Sequence, residues 1–265
     1  MADRLAELTE MREKLLQFVY SKRGWGFSLA AENLEYFLLG RGGEKQIPLP
    51  VLRLYRDFTD GADRLRDRVA VEVVRALVDL MDRGDGSTTI FVPDGDRTYA
   101  TGFTAPLWSD LFWASATSSL RAEPQLDVRW RRGEAAVEGD VRFVWWDPYD
   151  WTPGDPLSKK LPPIAVGWGA GIRYLELQDL SDMHEFGLAK FYILIASWVE
   201  TMRPRDGFHA VAEELAAMSS SQRSTYLDGL DAALGDVSVP IKGVPGLVID
   251  WPGRSPPRDW FQWYE

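Results

Sequence analysis

The spacing of apolar residues along the chain changes from a helical period to a strand period. Over residues 2–20 the apolar side chains recur every three or four positions, as in an amphipathic helix. Residues 29–39 and 52–81 follow the same period, and we expect a break in the last helix at residues 59–61. The first third of the chain is therefore predicted to be helical.

The run Gly40-Arg41-Gly42-Gly43 follows the second predicted helix. Glycine adopts left-handed backbone without strain, so this run predicts the end of that helix. A phosphate cradle is the alternative, but no Lys-Ser/Thr follows the glycines and no strand precedes them, which favours the helix stop. Arginines and aspartates alternate over residues 53–68, which indicates a solvated helix face with ion pairs.

After Gly84-Asp85-Gly86 the period changes to two, which is typical of strands with one buried face. Arg132-Gly133-Glu134 is a tight connection between two such segments. Short turns between consecutive strands predict an antiparallel meander. The predicted strands are residues 88–92, 97–104, 110–120, 126–130 and 137–146.

The last part of the chain is mixed. Residues 152–171 are rich in proline and glycine and predict a long loop. A proline-rich tail from residue 237 ends in four aromatic residues. We expect this tail to lie across the domain as a strap, and a docking peptide for a partner is the alternative. Between the loop and the tail we expect a helix at 174–189, a strand at 191–199, and helices at 210–218 and 222–234.

Together these elements predict an α+β fold. A helical N-terminal part, residues 1–84, is expected to pack against an antiparallel β-sheet or flattened β-barrel formed by residues 87–205. Residues 206–265 are expected to add a short helical pair and an extended tail rich in proline and aromatic residues.

Composition narrows the classes of partner. The 265 residues carry a formal net charge of -10, with no basic stripe, which argues against a nucleic-acid surface and against docking to anionic lipid. The absence of cysteine removes disulfides and thiolate chemistry. We expect no signal peptide and no transmembrane segment. The expected location is the cytoplasm of the producing cell, with export by a dedicated secretion machine.

The most unusual window is residues 144–153, with three tryptophans, one tyrosine, two aspartates and two prolines. Asp147 and Asp150 flank Pro148, which stiffens the backbone between them. Aromatic neighbours lower the local dielectric, so a carboxyl group here suits a general acid or base. The pair could also hold Mg²⁺ or Ca²⁺. The alternative is a turn that caps the strand, with Asp150 bonding its own backbone.

Other catalytic chemistry has less support. The chain has no G-x-S-x-G sequence, and its two histidines lie 25 residues apart without cysteine, which argues against a structural zinc site. His184 follows acidic residues on a predicted helix, where a solvated histidine is the alternative to a catalytic one. The twelve tryptophans are either core packing or an aromatic binding face.

The sequence Asp147-Pro148-Tyr149-Asp150-Trp151 resembles the Asp-x-Tyr-Asp-aromatic motif of the colicin M-type bacteriocins. In that family the motif follows a strand in a β-rich domain behind a helical part, and the toxins cleave the phosphodiester linkage of lipid II with Mg²⁺. The resemblance implies that Asp147, Tyr149 and Asp150 are active-site residues. The family continues with a His-Arg pair a few residues later. That region of this chain has Lys159 and Lys160 instead, and His184 would substitute only through the fold.

A second resemblance covers more of the chain. Residues 34–40, 112–120, 146–151 and 184–198 are similar to uncharacterised bacterial modules from polymorphic-toxin and secretion-effector contexts. In those modules a Trp-Asp-x-Tyr-Asp-Trp turn precedes a helix and a strand that ends in tryptophan. This resemblance implies secretion or competition between bacteria.

The sequence thus predicts a bacterial toxin or effector domain that acts at the cell envelope by metal-assisted phosphodiester hydrolysis. The alternatives are a pore-forming or binding module and a structural or cargo component of a contractile injection system. Expected partners are an envelope lipid or glycan and an immunity protein or secretion-machine component. The assigned catalytic residues are Asp147, Tyr149, Asp150 and His184, the magnesium ligands Asp147 and Asp150, and the substrate-binding residues Trp146, Trp151, Lys159 and Lys160.

Overall fold

The computed structural model describes residues 2–22, 28–91, 100–104, 117–150, 164–168, 171–235, 241–242 and 255–265. The fold is α+β with a helical N-terminal part, as predicted. The helices are α1 (Ala2–Lys22), α2 (Ser28–Leu38), α3 (Leu49–Leu52), α4 (Arg56–Arg83), α5 (Leu177–Glu185), α6 (Asp206–Ala217), α7 (Ser220–Leu234) and a 3₁₀ helix (Pro257–Trp260). The strands are β1 (Glu44–Gln46), β2 (Gly86–Phe91), β3 (Ala100–Thr104), β4 (Thr117–Arg131), β5 (Glu134–Tyr149), β6 (Ile164–Trp168), β7 (Gly171–Leu175), β8 (Tyr192–Pro204), β9 (Ile241–Lys242) and β10 (Phe261–Tyr264).

The larger sheet has the strand order β1-β8-β5-β4-β3-β9, with β10 on β8 and β2 on β4. The pairs β10–β8 and β2–β4 are antiparallel, but neither joins consecutive strands. Among the described strands of this sheet, the predicted order of consecutive neighbours is followed only from β3 through β4 to β5. The short strand β1 differs, because it runs parallel to β8. Its three residues are all polar and show no alternating pattern, so no strand was predicted there.

The described residues form two compact units. The first contains Met1–Ile47, Thr104–Ser118 and Trp146–Ile195, and the second contains Pro48–Phe103, Ser119–Trp145 and Ala196–Glu265. The chain passes between the two units after Trp145 and again after Ile195, and both points lie inside strands. Strands β5 and β8 therefore belong partly to each unit. The division predicted from the sequence, into residues 1–84, 87–205 and 206–265, stays a prediction.

In the first unit, α1 packs against α2 and α5. The apolar stripe predicted for α1 is almost completely buried from Leu8 onward, whereas Leu5 at its start is exposed. The Arg4 guanidinium fixes α5 by donating to Asp179 at 2.9 Å and to Asp182 at 2.5 Å. The buried stripe of α1 consists of Leu8, Met11, Leu15 and Val19.

In the second unit, α4 is unbroken, so the break predicted at residues 59–61 is wrong. Gly61 is buried inside α4, and the chain instead interrupts its helices between α3 and α4. The predicted solvated Arg–Asp face is also wrong at Asp67, which is fully buried. Arg258 donates to Asp67 from its backbone N–H at 2.9 Å and from its guanidinium at 2.5 Å.

The described end of the C-terminal tail, residues 255–265, belongs to the second unit. Trp260 and Phe261 are buried, and β10 extends the sheet at β8. The indole N–H of Trp263 donates to the backbone oxygen of Arg258 at 3.1 Å. The two buried rings belong to the core of this unit, so they are not free to dock on a partner.

Two strand predictions need correction. Residues 117–131 form one long strand, β4, rather than two. Residues 164–168 and 171–175 pair as the antiparallel hairpin β6–β7, although the loop was predicted to reach residue 171 and a helix to begin at residue 174. Residues 110–116 and 151–163 lie outside the described residues, so what was predicted for them stays a prediction.

The hairpin β4–β5 turns at Arg132 and Gly133, which both have positive φ, as a tight two-residue turn requires. A second special position is Gly139 in β5, with φ of 140°. A Cβ there would lie 2.2 Å from the backbone oxygen of Gln125. Only glycine therefore permits the close approach of the two backbones.

We predict that Gly139→Ala destabilises the protein by about 2–4 kcal/mol, because both backbone strain and a clash with backbone must be relieved. Urea denaturation measures the effect. The matched control is Gly229→Ala in α7, where an added Cβ meets nothing within 4 Å. That control should stabilise the protein by about 0.5–1 kcal/mol. Equal stabilities of the two variants would contradict the close packing at Gly139.

A second prediction concerns pH. Burial raises the pKa of Asp67 to about 6, although Arg258 lowers it. The folded state then binds this proton more tightly than the unfolded state, so the stability contributed by Asp67 falls as the pH rises from about 4 to about 6. Asp67→Asn should reduce the difference in unfolding free energy between pH 4.5 and pH 7 by about 1 kcal/mol or more. The exposed Asp79→Asn variant should leave that difference unchanged, and an unchanged difference in Asp67→Asn would contradict the account.

Candidate functional site

The described part of the window 144–153 lies in strand β5 as far as Tyr149 and not in a turn at Asp147, which corrects the prediction. β5 continues through Pro148 to Tyr149, because the fixed φ of proline is compatible with extended backbone. Alternation along the strand places Asp147 and Tyr149 on the buried face, while Pro148 and Asp150 are exposed. The two predicted catalytic carboxyl groups therefore do not converge from a shared turn.

Asp147 is a buried carboxyl group, with only 4% of its surface exposed. Its pKa is raised well above the ordinary value, first by burial and then by the negative charge of Asp150. Among the residues that the structure describes, no lysine or arginine forms an ion pair with it. Both influences favour the protonated form, which is the form that donates a proton.

Three tyrosine rings continue from Asp147 and are called the tyrosine row: Tyr149, Tyr192 and Tyr36. The rings of Tyr149 and Tyr192 are stacked with centroids 4.8 Å apart, and those of Tyr192 and Tyr36 are 4.6 Å apart. Burial raises the pKa of both Tyr149 and Tyr192, and the nearby charge of Asp147 raises it further. These hydroxyl groups are therefore proton donors rather than phenolates.

Helix α2 holds one end of the row. The Tyr192 hydroxyl donates to the backbone oxygen of Asn33 at 2.8 Å, and the Tyr36 hydroxyl donates to the backbone oxygen of Gly42 at 3.1 Å. Asn33 is fully buried, and its side-chain oxygen accepts a 2.5 Å hydrogen bond from Lys45. These bonds fix the tyrosine row from the side of α2 and β1.

Sequence reasoning did not find Tyr36, Tyr192, Asn33 or Lys45. They come from α2, β1 and β8, which approach only in the folded chain. Asn33 offered one signal, because it is an amide between the apolar residues of a buried helix face.

His184 does not contact Asp147. Its imidazole stacks on the ring of Phe191 with centroids 4.0 Å apart, and its Nδ1 accepts the backbone N–H of Phe191 at 3.3 Å. An accepting Nδ1 places the proton of a neutral imidazole on Nε2. Phe191 stacks in turn on Phe37, whose ring lies 6.2 Å from that of Tyr149. His184 is thus connected to the ring of Tyr149 only through Phe191 and Phe37, and it does not contact the carboxyl group of Asp147.

The predicted substrate-binding residues are less closely grouped. Trp146 is half-buried and lies on the strand face opposite Asp147. Trp151, Lys159 and Lys160 lie outside the described residues, so their roles stay predictions.

The described residues do not fit a magnesium site. Mg²⁺ takes oxygen ligands in octahedral geometry and prefers ionised carboxylates. Asp147 favours its neutral form, and Asp150 lies on the opposite face of β5. No group of three or more His, Asp or Glu side chains with metal-binding geometry occurs in the described part of the chain. The use of Mg²⁺ stays a prediction, and no step below passes through it.

We predict that Asp147→Asn leaves the free energy of unfolding at pH 7 unchanged or raises it by up to about 2 kcal/mol. An amide resembles a protonated carboxyl group in shape and avoids the cost of burying charge. Thermal and urea unfolding at pH 7 measure the change, with the exposed Asp150→Asn as control. A loss of more than about 2 kcal/mol in Asp147→Asn alone would indicate an ionised, hydrogen-bonded aspartate instead.

Comparison with known proteins found no family model, no curated protein and no solved structure that matches this chain. The resemblances that the motif carries therefore stay predictions.

Proposed function

We propose that this protein is a bacterial effector domain that hydrolyses a phosphodiester linkage in a lipid-linked envelope substrate, with Asp147 as the general acid. The observation that supports this proposal is the buried position of Asp147 beside the tyrosine row, with a raised pKa and no paired cation among the described residues. Carboxyl groups held protonated near neutral pH by burial are a recurrent feature of acid catalysis.

The chemistry assigned to the site is a single displacement at phosphorus. A water molecule attacks the phosphorus atom, and the bond between phosphorus and the leaving oxygen breaks. Asp147 gives its proton to that leaving oxygen, and the attacking water releases its proton to bulk water, because the exposed Asp150 does not share the buried face of Asp147. Asp147 takes up a proton from bulk water after product release, so the protons balance over one cycle.

Tyr149 is assigned a positioning role in this reaction. It shares the buried face of β5 with Asp147, and burial keeps its hydroxyl group protonated. A neutral hydroxyl in a site of low dielectric is a strong hydrogen-bond donor to a phosphate oxygen. Stacking of Tyr149 on Tyr192 restricts the ring to one orientation.

The envelope substrate and the effector role are supported by the two resemblances in the motif. None of the helices among the described residues has an apolar stretch long enough to cross a membrane. We propose an envelope lipid or glycan as the substrate, an immunity protein as the protective partner, and export by a dedicated secretion machine.

A non-catalytic binding or pore-forming module is the second candidate. The observation that favours it is the 4% exposure of Asp147, because a general acid must reach its substrate. In that case the aromatic cluster is the core of a binding domain, and Asp147 contributes shape and not proton transfer. A component of an injection system is a further form of this alternative.

The test expresses the protein in a susceptible bacterium, directed to the cytoplasm or to the periplasm, with Asp147→Asn, Asp150→Asn and Tyr149→Phe. We expect Asp147→Asn to abolish growth inhibition and Tyr149→Phe to reduce it by about tenfold or more, as the loss of a general acid or its positioning donor predicts. Asp79→Asn is the matched control and should remain inhibitory. Purified protein is assayed on lipid II with Mg²⁺ and with EDTA.

Circular dichroism must show that each variant is folded. A folded Asp147→Asn variant that inhibits growth as strongly as the wild type would contradict the hydrolase proposal. Dye release from liposomes by both proteins would then support the pore-forming candidate.

A further inference from the structure

We propose that the turn Gly40-Arg41-Gly42-Gly43, together with Lys190, is a binding site for a phosphate-class oxyanion. This inference goes beyond the proposed function, because it concerns a site on the surface of the first unit and involves neither Asp147 nor Asp150. The turn follows α2 and leads into β1.

Three consecutive backbone donors are the first element of the site. Gly40, Gly42 and Gly43 have φ values of 65°, 63° and 70°. Among the described residues, the amide N–H groups of Arg41, Gly42 and Gly43 have no acceptor. Successive N–H groups in a turn with left-handed residues form a concave anion site.

Four carbonyl groups at the turn already accept hydrogen bonds, so these four do not oppose an anion as free acceptors: those of Phe37, Leu38, Gly42 and Gly43. The Phe37 oxygen accepts the N–H groups of Gly40 and Lys190, at 2.9 Å and 3.1 Å. The Leu38 oxygen accepts from the Arg12 guanidinium at 2.7 Å, which also places a cation at the negative end of the α2 dipole. The N–H groups of residues 41–43 therefore remain as the backbone donors for an anion at this turn.

Two side-chain cations flank the backbone donors. Lys190 packs its aliphatic stem against Gly42, where an added Cβ would lie 3.2 Å from the lysine Cδ. Arg41 is exposed and holds its guanidinium 5.5 Å from the ring centroid of Tyr36. In the described part of the chain neither Arg41 nor Lys190 forms an ion pair with a carboxylate. The charge of each is therefore available to a ligand.

A phosphate-class ligand matches this set better than a carboxylate. Three N–H donors and two cations offer more hydrogen bonds and more charge than one carboxylate can use, whereas a phosphate carries up to three terminal oxygens and nearly two charges. The exposed Glu44 follows the turn and opposes an anion. Removing the Glu44 charge should therefore strengthen binding.

The test titrates the full chain with inorganic phosphate and with pyrophosphate, followed by backbone amide NMR shifts and calorimetry at low salt. We expect saturable binding with shifts at Arg41, Gly42 and Gly43. Arg41→Ala and Lys190→Ala should each weaken the affinity by about fivefold or more, and Glu44→Gln should increase it. The exposed Arg83→Ala is the matched control and should bind like the wild type.

Vesicles with and without phosphatidylglycerol identify the source of the phosphate. Vesicle binding that free phosphate displaces indicates a lipid headgroup, and phosphate binding without vesicle binding indicates a soluble phosphate ester. Asp147→Asn should bind phosphate like the wild type, so this site is tested separately from the hydrolase. Three results would overturn the proposal. They are the absence of saturable phosphate binding, wild-type affinity in both Arg41→Ala and Lys190→Ala, and vesicle binding that phosphate does not displace.

Discussion

Burial of the Asp147 carboxyl group is the constraint on which the account of this protein depends. A carboxylate loses several kcal/mol of hydration when it enters an apolar interior, and in most proteins a cation or several N–H donors offset that loss. Among the described residues, the charge that acts on this carboxyl group is that of a second aspartate, Asp150, which has the same sign. Burial therefore favours the protonated form of this carboxyl group, and a protonated carboxyl group can act as a general acid.

The first unit is arranged so that this group faces aromatic surface. β5 supplies Asp147 and Tyr149, β8 supplies Tyr192, and α2 supplies Tyr36. Stacked rings exclude water and provide no cation, which maintains the low dielectric around the carboxyl group. The second unit resolves a similar problem differently, because buried Asp67 receives both the backbone N–H and the guanidinium of Arg258.

Much of the fold follows from local pattern. The helices α1, α2, α6 and α7 and the hairpin β4–β5 were predictable, because period and turn residues act within a few positions. The turn prediction at Asp147 was wrong since Pro148 stops helices and also fits extended strands. Partners from distant segments, such as Asn33 for Tyr192, have no local signature. The parallel pairing of β1 was equally hidden, because three polar residues show no period.

The most direct test measures the ionisation of Asp147 itself. The aspartate side-chain carboxyl carbons are followed by ¹³C NMR between pH 4 and pH 9, and Asp147→Asn identifies the resonance of Asp147. Because burial raises the pKa of Asp147 well above its ordinary value, we expect its resonance to titrate at a clearly higher pH than those of the exposed aspartates. Titration of Asp147 near pH 4, together with the exposed aspartates, would contradict the central claim.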